Sequence, residues 1–398
     1  MNSTPAPMNT HHYDVIVVGA RAAGAATAML LARAGLDVLV VDRMQYGQDT
    51  TSTHSLMRGG VLQLHRWGLL DDVIAAGTPA VRQTTFNVGD EKFAIGLKSL
   101  HGVDALYAPR RTVLDPIIAD AAMSAGAEVR FGVTVRGLTR RLDGRVRGIV
   151  AHDDRGVPFE ATAALVVGAD GLGSNVARWV DAAVERSASS ASAFAYGYWT
   201  GMETEGFELY FRPGASAGAV ATNDGATCVF VGTQPHRFRR ELMKDPMSGF
   251  MGIMRDAAPE LADRLPAASG PTTPLTRFPG RPGRMRRAFG PGWALVGDAG
   301  YFKDPITAHG LTDALRDAEL LARAIIASVI DGDDEATALA EYQAVRDRLA
   351  EDLWVTTDAI ASYEWDATEI GALLMQVSAA MQDEVEHLAA LDPMPVAG

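Results

Sequence analysis

The segment from Asp14 to Asp42, DVIVVGARAAGAATAMLLARAGLDVLVVD, constrains the fold more than any other part of the chain. It reads as an apolar strand, a glycine turn, a helix of small residues, a second strand and a terminal carboxylate, which together make a βαβ unit. The unbroken apolar run Val15 to Val18 is what a strand buried on both faces requires, and Gly19 begins the tight turn. Gly24 lets the helix lie close against the sheet. Around Gly19, Ala20 and Ala23 the helix start offers free N–H groups and the positive end of a dipole to a pyrophosphate. Asp42, 23 residues past Gly19, is spaced to accept bonds from a ribose. The unit therefore predicts binding of an adenine dinucleotide. Arg43 is the kind of residue that receives the 2′-phosphate of NADP, but Asp42 beside it would repel that group, which favours FAD or NAD.

Composition narrows the class. A chain of 398 residues has room for two or three domains, and 47% hydrophobic residues suit an ordinary globular protein. The formal net charge is −13, and no basic run with interleaved aromatics occurs, so neither nucleic acid nor an anionic membrane is an expected partner. Residues 1–11 are polar and proline-containing and read as a disordered leader. No stretch approaches the roughly 18 apolar residues of a membrane span, so a cytoplasmic location is expected. Cys228 is the one cysteine and reads as a buried small hydrophobe in a strand.

The pattern predicts an α/β protein with a discontinuous Rossmann-like dinucleotide domain. Residues 12–80, 104–180 and 284–334 belong to it, with ALVVGADG (Ala164 to Gly171) as a further buried parallel strand. Residues 81–103 and 181–283 form a second α+β domain with a mostly antiparallel sheet, marked by turn signals at PGASAG and NDG. Residues 335–398 form a C-terminal helical region. Its stripe of Leu339, Tyr342, Val345, Leu349 and Leu353 suits core packing or a homodimer.

Three separated signatures carry a resemblance: VVGARAAG with VVDR, GADGLGSNVAR (Gly168 to Arg178), and LVGDAGYFKDPITAHGLTDALRDAELLA (Leu295 to Ala322). In this order they resemble the flavoprotein monooxygenases of the p-hydroxybenzoate hydroxylase type, whose superfamily includes flavin-dependent halogenases and geranylgeranyl reductases. The resemblance implies FAD. It implies that Gly297 and Asp298 meet the ribityl chain, that Arg111 and Val135 approach the cofactor, and that Asp170 lies by the pyrophosphate. After Pro305, the N–H groups near Gly310 and Leu311 would face the pyrimidine end of the ring, where reduced flavin is negative. Gly59, Gly60 and Val61 match the start of the flavin-facing helix, with Ser52, Thr53 and His54 at its mouth. His54 and His309 are the candidate catalytic side chains. Lys303 and Asp304 read equally well as an ion pair framing the turn, and no metal set is assigned.

Flavin chemistry then implies a reaction. The leading expectation is hydroxylation or epoxidation of a small aromatic or polycyclic substrate with O2 through the flavin C4a-hydroperoxide, with Tyr196, Trp199, Phe207, Tyr210 and Phe211 facing the substrate. There is no second glycine fingerprint, so NADPH or NADH would bind transiently in a groove, or a partner flavin reductase would supply reduced flavin. A halogenase needs a lysine in the loop and helix after the first unit, whereas the first lysine here is Lys92. The segment GFELYFRPG (Gly206 to Gly214) is similar to a reductase motif, which keeps a double-bond reductase as the alternative, followed by a non-catalytic flavin-binding module.

Overall fold

The computed structural model describes residues 11–52, 54–265 and 271–397; most of the predicted leader, residues 1–10, and Thr53 lie outside the described residues. The chain opens with β1 (His12–Val18), α1 (Ala22–Arg33) and β2 (Val38–Asp42), the two strands parallel with Val17 opposite Val40. Val15 and Val17 pack into the core shared with α1, and Ile16 and Val18 into the core on the other face, which explains the unbroken apolar run. The turn is backbone packed on backbone. A Cβ on Gly24 would lie 1.9 Å from the Gly19 carbonyl oxygen, and one on Gly19, at φ +113°, would lie 2.3 Å from that of Ala169.

Next, α2 (Arg58–Arg66) and α3 (Leu70–Ala75) lead to a hairpin of β3 (Gln83–Val88) and β4 (Glu91–Gly96). The chain returns through α4 (Arg111–Ser124) and β5 (Glu128–Phe131), then β6 (Thr134–Arg140), β7 (Val146–His152) and β8 (Pro158–Gly168). Here β8 runs parallel beside β1, with Val17 opposite Val167. After α5 (Asn175–Trp179) and β9 (Val184–Ser187) come β10 (Ala193–Thr200), β11 (Phe207–Arg212), β12 (Ala215–Ala221) and β13 (Ala226–Thr233). Three helices follow, α6 (Pro235–Glu241), α7 (Pro246–Ala257) and α8 (Pro259–Arg264), each opened by a proline where no N–H is needed. Short strands β14 (Thr276–Phe278), β15 (Arg284–Arg286), β16 (Phe289–Gly290), β17 (Trp293–Leu295) and β18 (Tyr301–Phe302) lead to α9 (Gly310–Val329), α10 (Glu335–Ala361) and α11 (Ala367–Ala389).

The first sheet has eight strands, with the path β16-β17-β8-β1-β2-β5 and with β7 and β6 extending from β8. In the second, the order is β14-β10-β13-β12-β11-β3-β4. Its pairings are antiparallel except for β11 against β3, where Phe207 faces Thr84. The early hairpin thus joins strands more than a hundred residues later, a link that local patterning cannot reveal. One face of this sheet is covered by α7, where Trp199 stacks on Phe250 at 5.5 Å, and the other by α11.

Gly24→Ala drives a methyl group into the turn carbonyl. It is expected to cost about 2–3 kcal/mol, read as a lowered thermal midpoint together with loss of copurifying flavin; a variant with wild-type melting would contradict the close approach.

Candidate functional site

One cavity of about 1770 Å³ runs from the β1–α1 turn, past the start of α9, to the face of the second sheet under α11. Gly19, Ala23, Asp42, Arg43, Arg111, Val135, Asp170 and Asp298 line the first end, and Pro305, Gly310 and Leu311 line the middle. Tyr196, Phe207 and Phe211 line the far end, joined by Leu209 and Phe230 from the sheet and Leu374, Met375 and Met381 from α11. Ala20, Gly24 and Gly297 stand behind this surface. Ala20 donates its N–H to Asp42 Oδ2 at 2.8 Å, and Gly297, at φ +58°, leaves room for the Ala23 methyl group.

The polar end fits a dinucleotide on its own geometry. Asp298 presents its carboxylate to the cavity, and among the described residues none donates a hydrogen bond to it. Burial, with Asp313 adding to it and Arg111 and Arg284 opposing, raises its pKa to about 6. A hydroxyl-bearing ligand would supply the missing donors. A Cβ on Gly310 would meet nothing within 4 Å, so the absent side chain keeps the helix start open to the cavity. Asp115 holds two arginines at the rim, accepting from Arg111 Nε at 2.8 Å and from Arg21 Nη1 at 3.0 Å. Arg21 thus belongs to the wall rather than to the phosphate turn. Asp170 accepts from Ser174 Oγ, from Asn175 N and from Val176 N, which ties the loop to the start of α5.

Of the five expected substrate aromatics, two face elsewhere. Side chains alternate along a strand, so Tyr196, Phe207 and Phe211 reach the cavity while Trp199 and Tyr210 point into the core under α7. Tyr210 instead donates to Glu208 at 3.2 Å. The period-two rule, applied to GFELYFR, would have made that separation.

His54 lies fully buried at φ +63°, with Nε2 2.5 Å from the Tyr198 hydroxyl; among the described residues Nδ1 has no partner. Its N–H donates to Ser52 Oγ at 3.0 Å, and the Ser52 N–H donates to the cavity-lining Tyr196 hydroxyl at 3.2 Å. The Arg110 guanidinium sits 4.2 Å over the Tyr198 ring. Burial pushes the His54 pKa down to about 4, so the ring is neutral near pH 7.

His309 does not face the cavity as expected. Its Nε2 is 2.7 Å from Glu384 Oε2 on α11, within a fully buried group of charges. Lys303 pairs not with Asp304 but with Asp313, at 2.8 Å, while Asp304 accepts from Ser192 N and Ile306 N. Arg316 reaches Asp313 and Glu384 at 3.0 Å and Asp317 at 2.7 Å. Although burial works against it, Lys303 and Arg316 hold Asp313 down to about 2, whereas burial raises Glu384 to about 7. His309, Asp313 and Glu384 offer ligand atoms within 4.8 Å of one another, but Lys303 and Arg316 already compensate that charge. Sequence reasoning missed this group, because its members come from the turn before α9, from α9 and from α11, and no local spacing joins them.

Comparison with known proteins agrees with this geometry. The FAD binding domain family matches residues 12–249. The digeranylgeranylglycerophospholipid reductase of Methanocella arvoryzae is 28% identical over 355 residues, which is 86% of this chain and 84% of the relative. Among solved structures, the flavin-dependent brominase Bmp2 superposes with a TM-score of 0.79 at 21% identity, covering 95% of this chain and 93% of the other. P. aeruginosa PqsL in complex with 2-aminobenzoylacetate also gives 0.79 at 21% identity, covering 92% and 100%. These two likenesses speak to the fold.

Asp298→Ala is expected to lose most copurifying flavin absorbance while Arg21→Ala keeps it; equal retention would contradict the separate placements. For His54, the unfolded chain takes up a proton near pH 6.5 that the folded state refuses until about pH 4. Stability therefore falls as pH drops through that window, by up to about 3 kcal/mol from this residue. His54→Gln should show a shallower decline in thermal midpoint between those pH values, and superimposable slopes would refute the buried neutral ring.

Proposed function

We propose, from the premise that this chain belongs to the FAD binding domain family of flavin-dependent oxidoreductases, that it is a monooxygenase acting on a small aromatic or polycyclic molecule. The observation that supports this best is the continuity of the cavity. At about 1770 Å³ it exceeds the roughly 300–1,000 Å³ of a single-ligand site, leaving room for a substrate beside the cofactor.

The residues present suit FAD at the polar end, with the α1 start for its pyrophosphate, Asp42 for a ribose and Asp298 for the ribityl hydroxyls. When bound, FAD supplies hydride acceptance from NADPH or NADH and activation of dioxygen. In the balanced reaction one oxygen atom enters the substrate, the other leaves as water, and the reductant provides two electrons. The start of α9 at Gly310 and Leu311 directs N–H groups toward negative charge that develops there. Apolar side chains of α11 and β11 exclude water from the far end, which strengthens every polar contact inside. Tyr196 and Ser216 offer hydroxyls to orient a polar substituent, each already anchored, to Ser52 N and to the Tyr363 hydroxyl. His54 does not itself line the cavity; neutral and joined to Tyr198, it positions Ser52 and, through Ser52 N, the Tyr196 hydroxyl.

A second reading is a double-bond reductase, favoured by the relative from Methanocella arvoryzae and by the apolar far end. Isotopically heavy dioxygen separates the two: monooxygenation places the label in the product, whereas a reductase turns over without air. Among substrate-side variants, Tyr196→Phe is expected to raise KM about fivefold. Trp199→Phe should lower the melting temperature by removing contacts with Phe250 and leave KM unchanged. The reverse pattern would overturn the assignment of faces.

A further inference from the structure

Three carboxylates line the cavity, those of Asp42, Asp170 and Asp298, and all of them stand at the dinucleotide end. The far end has cations in its wall but, among the described residues, no carboxylate to answer them. Arg58, the first residue of α2, and Lys98, in the chain that leaves β4, both line it there. They belong to one rim. Arg58 donates from Nη1 to the Val103 carbonyl at 3.1 Å, and the same oxygen accepts from the N–H of Leu100, two residues past Lys98, at 3.0 Å. The chain neighbours of the two cations, Met57 and Leu97, pack on the apolar cluster of Leu106, Phe207 and Val220, which line the far end. A guanidinium and an ammonium therefore stand where the apolar lining begins.

The protein offers these cations no partner of opposite charge. Arg58 makes no ion pair among the described residues, and the carboxylates around its turn are engaged elsewhere, Asp104 with Arg82 at 3.0 Å and Glu386 with His101 at 3.1 Å. Burial, opposed by no carboxylate, holds the Arg58 pKa below the ordinary arginine value. A half-buried guanidinium without a counter-ion is destabilising, and an incoming anion relieves it. Lys98 is exposed and Arg58 half-buried, which orders the two from solvent inward. With Nη1 held by Val103, the edge formed by Nε and Nη2 has no partner among the described residues and matches the two oxygens of a carboxylate.

We propose that the molecule on which the enzyme acts carries a carboxylate, held by Arg58 and guided in by Lys98, while its apolar body lies over Phe207 and Phe230. This rests on the reading of the far end as the site of an aromatic or polycyclic substrate. Arg58 is then a specificity-determining residue, separate from the dinucleotide seat at the Gly19 turn.

The test is titration of the flavin-loaded enzyme with naphthoate and with naphthamide, molecules of nearly one shape of which only the first is charged near neutral pH. Binding is followed by calorimetry and by the absorbance of the bound flavin. The wild type is expected to bind naphthoate about tenfold or more tightly than naphthamide. Arg58→Gln should abolish that preference by weakening naphthoate alone, with copurifying flavin at the wild-type level, and Arg58→Lys should recover part of it. Lys98→Gln should keep the preference, yet slow naphthoate association and make it less sensitive to salt. Because Lys98 is exposed, its variant reports even if Arg58→Gln folds poorly. Equal affinity for the two probes in the wild type, or an unchanged preference in Arg58→Gln, overturns the carboxylate site alone. Wild-type association by Lys98→Gln at every salt concentration overturns the guiding role. Lost flavin in Arg58→Gln at an unchanged melting temperature assigns the arginine to the cofactor and equally overturns the proposal. A wild-type enzyme that binds neither probe removes the aromatic reading beneath it.

Discussion

The buried charges of α9 hold the two ends of the cavity to each other. Arg316 reaches Asp313 in the first turn of its own helix and Glu384 on α11, both at 3.0 Å. The first of these contacts steadies the helix start that lines the middle of the cavity. Through the second it holds the helix whose other residues, Met381 and Gln382 among them, wall the apolar far end of the cavity. Removing one member of such a group would leave a buried charge uncompensated, which is far more costly than the net gain of forming the pair. Apolar packing alone would let α11 slide; directional charge pairs define one registration.

Shape at the other end comes from backbone rather than side chains. The turn after β1 lies so close to α1 and to the end of β8 that neither Gly19 nor Gly24 has space for a methyl group. What this closeness achieves is a concave surface of N–H groups at a helix start, which is the natural seat of a phosphate. Asp42 contributes twice, since its carboxylate also accepts from Ala20 N at 2.8 Å and Met44 N at 2.7 Å and so secures the turn it serves. The same economy recurs at Asp115, which places Arg111 while anchoring Arg21.

Much of the dinucleotide end was legible beforehand. The apolar run of β1, the glycines and Asp42 are local signals because the motif is written in one continuous segment, although β1 also pairs with β8 and Gly19 packs against Ala169, both distant in the chain. So were the existence of the second sheet and of the C-terminal helices, because period-two and period-3.6 patterns are properties of a single element. The apolar far end of the cavity was less legible. Its aromatics were recognised as a group, but Trp199 and Tyr210 fall on the far face because each strand's register sets which side chains point under α7. His54 was picked out by its loop, yet its partner Tyr198 lies 144 residues away.

By itself, then, the amino-acid order determined the elements and the first dinucleotide unit, since those follow from neighbours in the chain. The tertiary structure alone decided that β3 would join β11, that His309 would turn toward Glu384, and that Lys303 would pair with Asp313 rather than with the adjacent Asp304. The physical reason is common to the strand pairing and the Lys303–Asp313 ion pair. A buried polar group or an open strand edge must find a partner wherever the fold brings one, and no local pattern encodes which distant segment that will be.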